Sequence, residues 1–339
     1  MTSFSSIGDL SRSFQFRLGQ SMLKSRLDRL TQEMMTGIQS DIPAALGGDL
    51  SRISHIEARL KMLDSFQLNA SEAEIQFNGM QTVLESIQAT VDDLGPRLLS
   101  EVSASGDNDL RAQLGDIAQS FRSMFDSLNT NIAGRYAFSG SRTQTAPLGS
   151  FDDMMATLGS AVGGATAASD IAARIDSWFD APAGSGGFVD TIYQGDDTGT
   201  TELAVSPDRR VSMSLTANSA ELRDSLKGMA IMAYAADNGA AIDAANLRDL
   251  FTEAGSRLVK GSVGLIRARA DLGQRQAVVA QAQTRNAAET TSLSVARGNL
   301  INADPYETAT ALEETEANIQ SLYALTARLS KLNLTDYLS

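Results

Sequence analysis

Residues 63–94 read LDSFQLNASEAEIQFNGMQTVLESIQATVDDL, and apolar side chains recur in this stretch with a seven-residue period. An average apolar spacing of about 3.5 residues is typical of a long helix that buries one narrow stripe against other long helices. The stretch therefore predicts a coiled-coil-like helix. Its successive a and d positions are Leu63/Phe66, Ala70/Ala73, Phe77/Met80, Leu84/Ile87 and Val91/Leu94.

A second stretch, far along the chain, has the same period. Its members are Phe251, Leu258, Leu265, Leu272, Val279, Leu293 and Leu300, with Asn286 as the one polar member. Between the two ladders the chain becomes rich in glycine, with β-like runs at Phe188–Gln194, Thr201–Ser206 and Arg210–Thr216. Because the chain leaves one ladder and returns along the other, the two helices are expected to pair in antiparallel fashion. We predict a mainly α fold, a long antiparallel helical rod (a coiled-coil-like bundle) formed by both chain ends, with a small α+β insert domain in the middle.

Helix-breaking residues divide this predicted fold into segments. The expected breaks are Gly37, Gly134, Asp237-Asn-Gly239 and Asp304-Pro305, and a kink or a stop is expected at Gly95-Pro96. The segments are an N-terminal helix (residues 1–45), a first half of the rod (46–138), the outer insert (139–219), a second half of the rod (220–303) and a C-terminal helix (304–339). The first and last segments together form an inner assembly domain.

The composition of the chain excludes several classes of protein. It has no cysteine among 339 residues, so thiolate catalysis, disulfides and zinc–thiolate sites are excluded. The net charge of −13 repels phosphate groups, and no basic face offsets it, so we expect no nucleic-acid partner. Neither a cleavable signal peptide nor an apolar run of roughly 18 residues is present, so we expect no membrane anchor.

Residues with potential chemistry are few and scattered. The single histidine, His55, lies on the flank of a predicted helix, and we interpret it as a surface residue. The pair Asp152-Asp153 favours a helix N-terminus. The pair Asp196-Asp197 favours a turn, and the residues around it lack the spacing of a calcium-binding loop. Gly261-Ser-Val-Gly264 lies inside a helical ladder, where small residues allow neighbouring helices to approach closely. We predict no catalytic, cofactor or metal site, and a protein that is not an enzyme.

The terminal helices each present one apolar stripe. A single pair of such helices buries too little surface to offset the entropy of the chain. We therefore predict that the pair finishes ordering when copies of the protein pack side by side. The predicted packing residues are Phe16, Leu23, Leu27, Leu30, Leu312, Ile319, Leu322, Leu325, Leu329 and Leu332.

Two short motifs give the chain a family resemblance. One is Gly134-Arg-Tyr-Ala-Phe-Ser-Gly140, followed by the Thr/Pro-containing stretch Thr143–Pro147, and the other is Tyr193-Gln-Gly-Asp-Asp197. With the overall layout and the ending Leu332-Asn-Leu-Thr-Asp-Tyr-Leu338, they resemble the flagellin superfamily, and within it the hook–filament junction proteins (hook-associated protein type 3, FlgL-like). The motif residues are Gly134, Tyr136, Phe138, Ser139, Gly140, Tyr193, Gly195, Asp196 and Asp197.

The resemblance implies a structural protein of the bacterial flagellum that functions in motility. It would join the hook-associated ring to the flagellin filament after export through the flagellar type III channel, guided by the uncleaved segment Ser3–Leu18. The implied location is extracellular. Implied partners are further copies of the chain in a helical ring or array, the first hook–filament junction protein, flagellin, and an export chaperone that binds Tyr306–Leu338.

One departure from the family keeps alternatives open. Ala44-Ala-Leu-Gly-Gly-Asp49 stands where flagellins place an acidic Asp-Asp-Ala-Ala-Gly type of motif. This argues against a bulk filament flagellin, although a short flagellin that forms the filament itself is an alternative. A soluble coiled-coil signalling protein would show the ladders without the Gly134–Gly140 motif. An adhesive role of the insert also stays open.

Overall fold

The computed structural model describes residues 7–338, with the side chains of residue 11 and residues 14–328. These residues form mainly long α-helices, which confirms the predicted fold class. The helices are α1 (Ile7–Thr36), α2 (Ile42–Ala45), α3 (Ser51–Ala104), α4 (Asp107–Leu128), α5 (Phe151–Val162), α6 (Ala168–Phe179), α7 (Phe188–Thr191), α8 (Ala220–Asn238), α9 (Ala244–Ile301) and α10 (Pro305–Leu338). The strands are β1 (Asn131–Ile132), β2 (Arg135–Tyr136), β3 (Thr201–Ser206) and β4 (Arg209–Met213), which pair as two antiparallel hairpins.

The chain divides into two compact units. Unit 1 comprises Met1–Met62 and Ala288–Ser339, and unit 2 comprises Leu63–Ala287. Both boundaries fall inside long helices, so α3 and α9 each contribute residues to both units. The finer division into five segments stays a prediction.

Most members of the two sequence ladders line the core of unit 2, whereas Leu293 and Leu300 belong to unit 1 and are half-buried. Leu63, Phe77, Leu84 and Val91 of α3 are buried, as are the ladder members of α9 from Phe251 to Val279. Cross-helix bonds join Gln81 to the Arg269 carbonyl and Gln276 to Asn78, so α3 and α9 run antiparallel, as predicted. The polar ladder member Asn286 is also buried, and its amide donates to the Val205 carbonyl at 2.8 Å. This bond ties β3 to α9 and satisfies an otherwise costly buried amide.

Glycines of α9 allow helix α8 to pack closely, as the sequence indicated. A Cβ atom on Gly261 would lie 2.3 Å from Ser225 Oγ, and one on Gly264 would lie 2.7 Å from the Glu221 carbonyl oxygen. Any larger side chain would push these two helices apart. The Gly261-Ser-Val-Gly264 motif is therefore a packing feature.

The insert of unit 2 differs from the prediction in one element. Residues 188–191, predicted as the start of a strand, form the short helix α7. The reason is local: the Asp190 carboxylate accepts hydrogen bonds from the Gly184 and Gly186 amides, and the Asp190 and Thr191 amides donate to the Gly187 carbonyl. These bonds close a turn over the glycine-rich loop. The other two runs do form strands, although the second ends at Met213.

One predicted helix end was wrong, and at Gly95-Pro96, where a kink or a stop was predicted, the helix does not stop. Helix α3 continues through Gly95-Pro96 to Ala104, where a Cβ on Gly95 would meet the Val259 side chain at 3.2 Å. Packing against α9 thus outweighs the helix-breaking tendency of this dipeptide. Helix α4 ends at Leu128 rather than Gly134 because the β1–β2 hairpin follows, with Ala133 and Gly134 at φ values of 50° and 84°.

Candidate assembly surface and motif cluster

In unit 1, α1 and α10 form an antiparallel helix pair. Gln20 Nε2 donates to the Tyr323 hydroxyl at 3.0 Å, so these residues lie level with each other along the pair. Beyond the end of α1, the Gln39 amide donates to the Ile301 carbonyl at 2.9 Å and the Ala303 amide to the Gly37 carbonyl at 3.0 Å. These backbone bonds form a short clip, residues 37–39 with 301–303, that fixes the register of the two helices.

The predicted packing residues of α1 face α10 but are incompletely covered. Leu30 is buried, whereas Phe16, Leu23 and Leu27 are half-buried. On α10, the half-buried residues are Leu312, Ile319 and Leu322, and Leu325 is exposed. All of these side chains except the exposed Leu325 therefore form one thin, incompletely covered seam. Leu329 and Leu332 lie in α10, outside the described side chains, and Ser3–Ser6 of the predicted export segment lie outside the described residues.

A second apolar face of α1 was missed by the sequence reasoning. Phe14, Leu18 and Met22 are 64%, 46% and 62% exposed. At about 100° per residue, they cluster roughly 150° around the helix from the seam residues. The signal was available in the four-residue spacing of these positions, but the stronger heptad pattern of the opposite face obscured it. Helix α1 thus has one apolar face towards α10 and another directed away from it.

The two family motifs meet in unit 2. Gly140 forms a parallel bridge with Asp196, and the Asp196 amide donates to the Ser139 carbonyl at 3.0 Å. Phe138 and Ser139 are fully buried, and the Phe138 carbonyl accepts from the Ala217 amide at 2.9 Å. We call these paired segments, residues 134–140 and 193–197 with the Thr216–Asn218 turn, the motif cluster.

Backbone proximity explains why the motif cluster needs glycine. A Cβ atom on Gly140 would lie 1.9 Å from the Asp196 carbonyl oxygen, and Gly140 also has a φ of 64°. A Cβ on Gly195 would lie 2.8 Å from the Ser139 carbonyl oxygen and 2.4 Å from the Tyr193 hydroxyl oxygen. Only glycine allows the two segments to approach this closely.

The acidic residues of the motif cluster serve as hydrogen-bond acceptors. Asp196 accepts from Ser141 and from the Thr198 amide and hydroxyl, and these bonds, with that of Ser141 largest, hold the pKa of its carboxyl well below the ordinary value. Asp197 accepts from Thr216 Oγ1 at 2.8 Å and from the Asn218 amide. Burial, reinforced by Asp197, raises the pKa of the Tyr193 hydroxyl. The carboxylates therefore hold three loops together.

The other chemical candidates have ordinary placements. His55 is exposed, and Asp152 and Asp153 lie in the first turn of α5, where Ser150 caps the Asp153 amide. Among the described side chains, no cluster of three or more metal-ligating residues occurs. Of the helices described between residues 7 and 338, none combines the length and apolar content of a membrane span.

Comparisons with known proteins agree with this architecture. Residues 263–338 match the family model of the bacterial flagellin C-terminal helical region. A solved structure described as a candidate flagellar hook-associated protein from Vibrio parahaemolyticus has 15% sequence identity, covers 74% of this chain and 100% of its own, and gives a TM-score of 0.50. The crystal structure of Bacillus cereus FlgL has 16% identity, covers 72% of this chain and 100% of its own, and gives a TM-score of 0.48.

No curated protein matches the chain in sequence. The likeness to the Vibrio structure shows a shared fold, and the family match covers α10 together with the second half of α9. The predicted resemblance to the flagellin superfamily is confirmed, since residues 263–338 match the model of the flagellin C-terminal helical region.

Proposed function

We propose that this protein is a structural subunit of the bacterial flagellum, and specifically the junction subunit between the hook-associated ring and the flagellin filament. The observation that supports it most is the flagellin C-terminal match at residues 263–338, because this region includes the helix that pairs with α1. The motif cluster of unit 2 adds support, since both family motifs are used to hold one fold together.

The thin seam of unit 1 suggests how such a subunit assembles. Only four apolar side chains, those of Leu30, Ile53, Ile56 and Ile301, are buried among the described residues of unit 1. Burying apolar surface contributes about 25 cal/mol per Å², so neighbouring copies that cover the half-buried seam supply stability that the single chain lacks. Repeated head-to-tail contacts of this kind generate an open helical array.

The exposed side chains of α10 also suit an export chaperone before assembly. Tyr306, at the start of α10, is 81% exposed, and Tyr323 and Leu325 are also exposed. A chaperone that covers this helix would prevent premature association of the exposed apolar side chains. The proposed partners are therefore the export chaperone first, and then further copies, the first junction protein and flagellin at the extracellular tip.

A non-enzymatic role is supported by the use made of the polar residues. Asp196 and Asp197, the most concentrated acidic pair of the motif cluster, are engaged by Ser141, Thr198, Thr216 and Asn218. Side chains that are saturated with structural hydrogen bonds are poorly suited to proton transfer.

A short flagellin is the second candidate function, because the matching family model is itself that of a flagellin. Deletion of the coding region separates the candidates. A junction subunit leaves hooks without filaments while flagellin is shed into the medium. A filament flagellin leaves bare hooks with no shed flagellin. Normal filaments on the deletion strain, or a secreted fraction that persists when flagellar export is blocked, would contradict both and favour a protein outside the flagellum.

A further inference from the structure

A cavity of about 250 Å³ lies in unit 2 between α3, α9 and the segment that joins β4 to α8. Its floor is apolar and belongs to the core, since the side chains of Phe77, Met80 and Leu272 are almost fully buried. An apolar cavity of only about 150 Å³ is sufficient to bind benzene. The cavity of unit 2 therefore has room for one aromatic ring.

The wall of this cavity adds polar groups to the apolar floor. Arg275 donates to the Ser212 hydroxyl at 2.7 Å and to Asp271 Oδ2 at 2.8 Å, so these three side chains hold one another in place. Asp271 Oδ1 accepts no hydrogen bond from a described residue. The floor thus suits an apolar ring, and the wall offers an acceptor to a hydroxyl group on that ring. A tyrosine side chain combines these two features.

Tyr306 is the most exposed aromatic side chain among the described residues, at 81%. It lies in the first turn of α10, and its hydroxyl bonds to no other described residue. The Asp304 carboxylate accepts from the Tyr306 amide at 2.8 Å and from the Glu307 amide at 3.1 Å, so the backbone that bears the ring is fixed by the cap of the helix. Aromatic side chains on an ordered backbone are typical anchors of protein interfaces.

The cavity rim and the surroundings of the exposed ring both have unpaired charges. Arg267 of α9 and Glu221 of α8 line the cavity, and neither forms an ion pair with a described side chain. Glu307, next to the ring, lines a groove of unit 1 with Arg26 and Arg29 but is paired with neither. Both surfaces therefore have an acidic and a basic group free for a partner of opposite charge, which favours their association.

We infer that Tyr306 of one copy inserts into the cavity of a second copy, where its hydroxyl donates to Asp271 and Glu307 lies beside Arg267. This inference rests on the proposed function and deepens it, because it names an anchor and a receptor for assembly. The contact is heterologous, since the anchor belongs to unit 1 and the receptor to unit 2. Each copy in a pair retains one of the two, so repetition extends the array.

Photo-cross-linking tests the contact in the purified full-length chain, with p-azidophenylalanine in place of Tyr306. This amino acid keeps the aromatic ring and bonds covalently to its surroundings when it is illuminated. We expect covalent dimers and larger species whose yield increases with protein concentration. Mass spectrometry should locate the new bond on cavity residues such as Met80, Met213 or Leu272. The same probe at Tyr323, 46% exposed on the same helix, is the control and should not label the cavity.

Variants of the cavity separate the contributions of size and charge. Ser214, an exposed residue of the wall, allows the cavity to be blocked: Ser214→Trp should abolish the cross-link and Ser214→Ala should retain it. Arg267→Glu should lower the yield by about tenfold or more, because like charges then face each other. Adding Glu307→Arg to the same chain should restore the yield. Circular dichroism of each protein checks that the helices are retained.

Three results would overturn the inference: no cross-link between copies, a bond located outside the cavity, or a yield that Ser214→Trp leaves unchanged. The assay uses purified protein, so its outcome does not depend on a role in the flagellum. A cavity cross-link in a protein whose deletion leaves filaments normal would refute the junction proposal alone. A chain recovered at the hook–filament junction that gives no cavity cross-link would refute the insertion of Tyr306 alone.

Discussion

In unit 2, every residue of α8 from Leu226 to Ala235 is buried, and Phe251, Leu258 and Leu265 of α9 are fully enclosed. In unit 1, α1 buries only Leu30 among its described side chains and exposes Phe14, Leu18 and Met22. Both units are built from helices with seven-residue or similar apolar spacing. A ladder of apolar residues therefore favours helix formation, whereas the number of covered faces decides whether the helix is stable without a partner. Unit 2 covers several faces of its helices and unit 1 covers one.

The largest expected effect comes from placing a charge on the seam of unit 1. Under the proposed function, Leu322→Asp should abolish incorporation into the flagellar junction, because a carboxylate at a half-buried packing position is costly to desolvate when neighbours close over it. Electron microscopy of hooks measures incorporation, which depends on unit 1. Urea unfolding of the purified protein measures the stability of unit 2.

Leu322→Ile is the matched control for this variant, since it keeps the apolar volume and should assemble normally. Unit 2 should unfold at the wild-type urea concentration in both variants. Normal junctions formed by Leu322→Asp would show that the seam is not part of the assembly surface.

Truncating one phenylalanine in each unit measures the difference in packing directly. Phe251→Ala in unit 2 should lower the free energy of unfolding by about 3–5 kcal/mol, because a fully buried ring leaves a cavity. Phe16→Ala in unit 1 removes a half-buried ring and should change the unfolding of the purified chain far less. Equal losses in chemical denaturation would mean that unit 1 is as well packed as unit 2.

A smaller effect is expected at the motif cluster. Gly140→Ala should destabilise unit 2 by about 1–3 kcal/mol or more, because the backbone is left-handed there and the new Cβ meets the Asp196 carbonyl. Gly134→Ala is the control, since Gly134 has a φ of 84° but open space around the Cβ position. In this variant the free energy of unfolding should fall only by the cost of placing alanine at a positive φ, about 1 kcal/mol. Thermal unfolding, followed by the fluorescence of Trp178, measures the stability of both variants.

The smallest effect concerns the pH dependence of unit 2. The Gly184 and Gly186 amides hold the pKa of Asp190 below its ordinary value of 3.8. A carboxyl whose pKa is lower in the folded state adds stability above the unfolded value, and this contribution is lost as the pH falls through the folded value. Asp190→Asn should therefore be less stable than wild type near neutral pH, and the difference should shrink in strong acid. A difference that stayed constant as urea unfolding is repeated at decreasing pH would contradict this.

The sequence predicted the helices of both units well because their apolar period extends over many turns. It also anticipated the close approach of α8 to Gly261 and Gly264, since small residues in a ladder have few other uses. Helix α7 was missed because it is decided by the Asp190 carboxylate and the loop amides around it, which no periodic pattern reports.

For the assembly surface, the sequence identified the seam but not the opposite face of α1. A stripe of three large residues is too short for a heptad search, and its significance depends on knowing which side α10 covers. Likewise, the motif residues could be named from the sequence, whereas the meeting of Gly140 with Asp196 required the long-range fold.

The clip between residues 37–39 and 301–303 has a consequence for the timing of folding. Gln39 bonds to a partner that is encoded 263 residues later, so nothing in the first half of the polypeptide can satisfy it. A chain delivered from its amino end must wait until almost all of it has emerged before this contact can close. Helix α1 can therefore complete its pairing with α10 only late in the delivery of the chain.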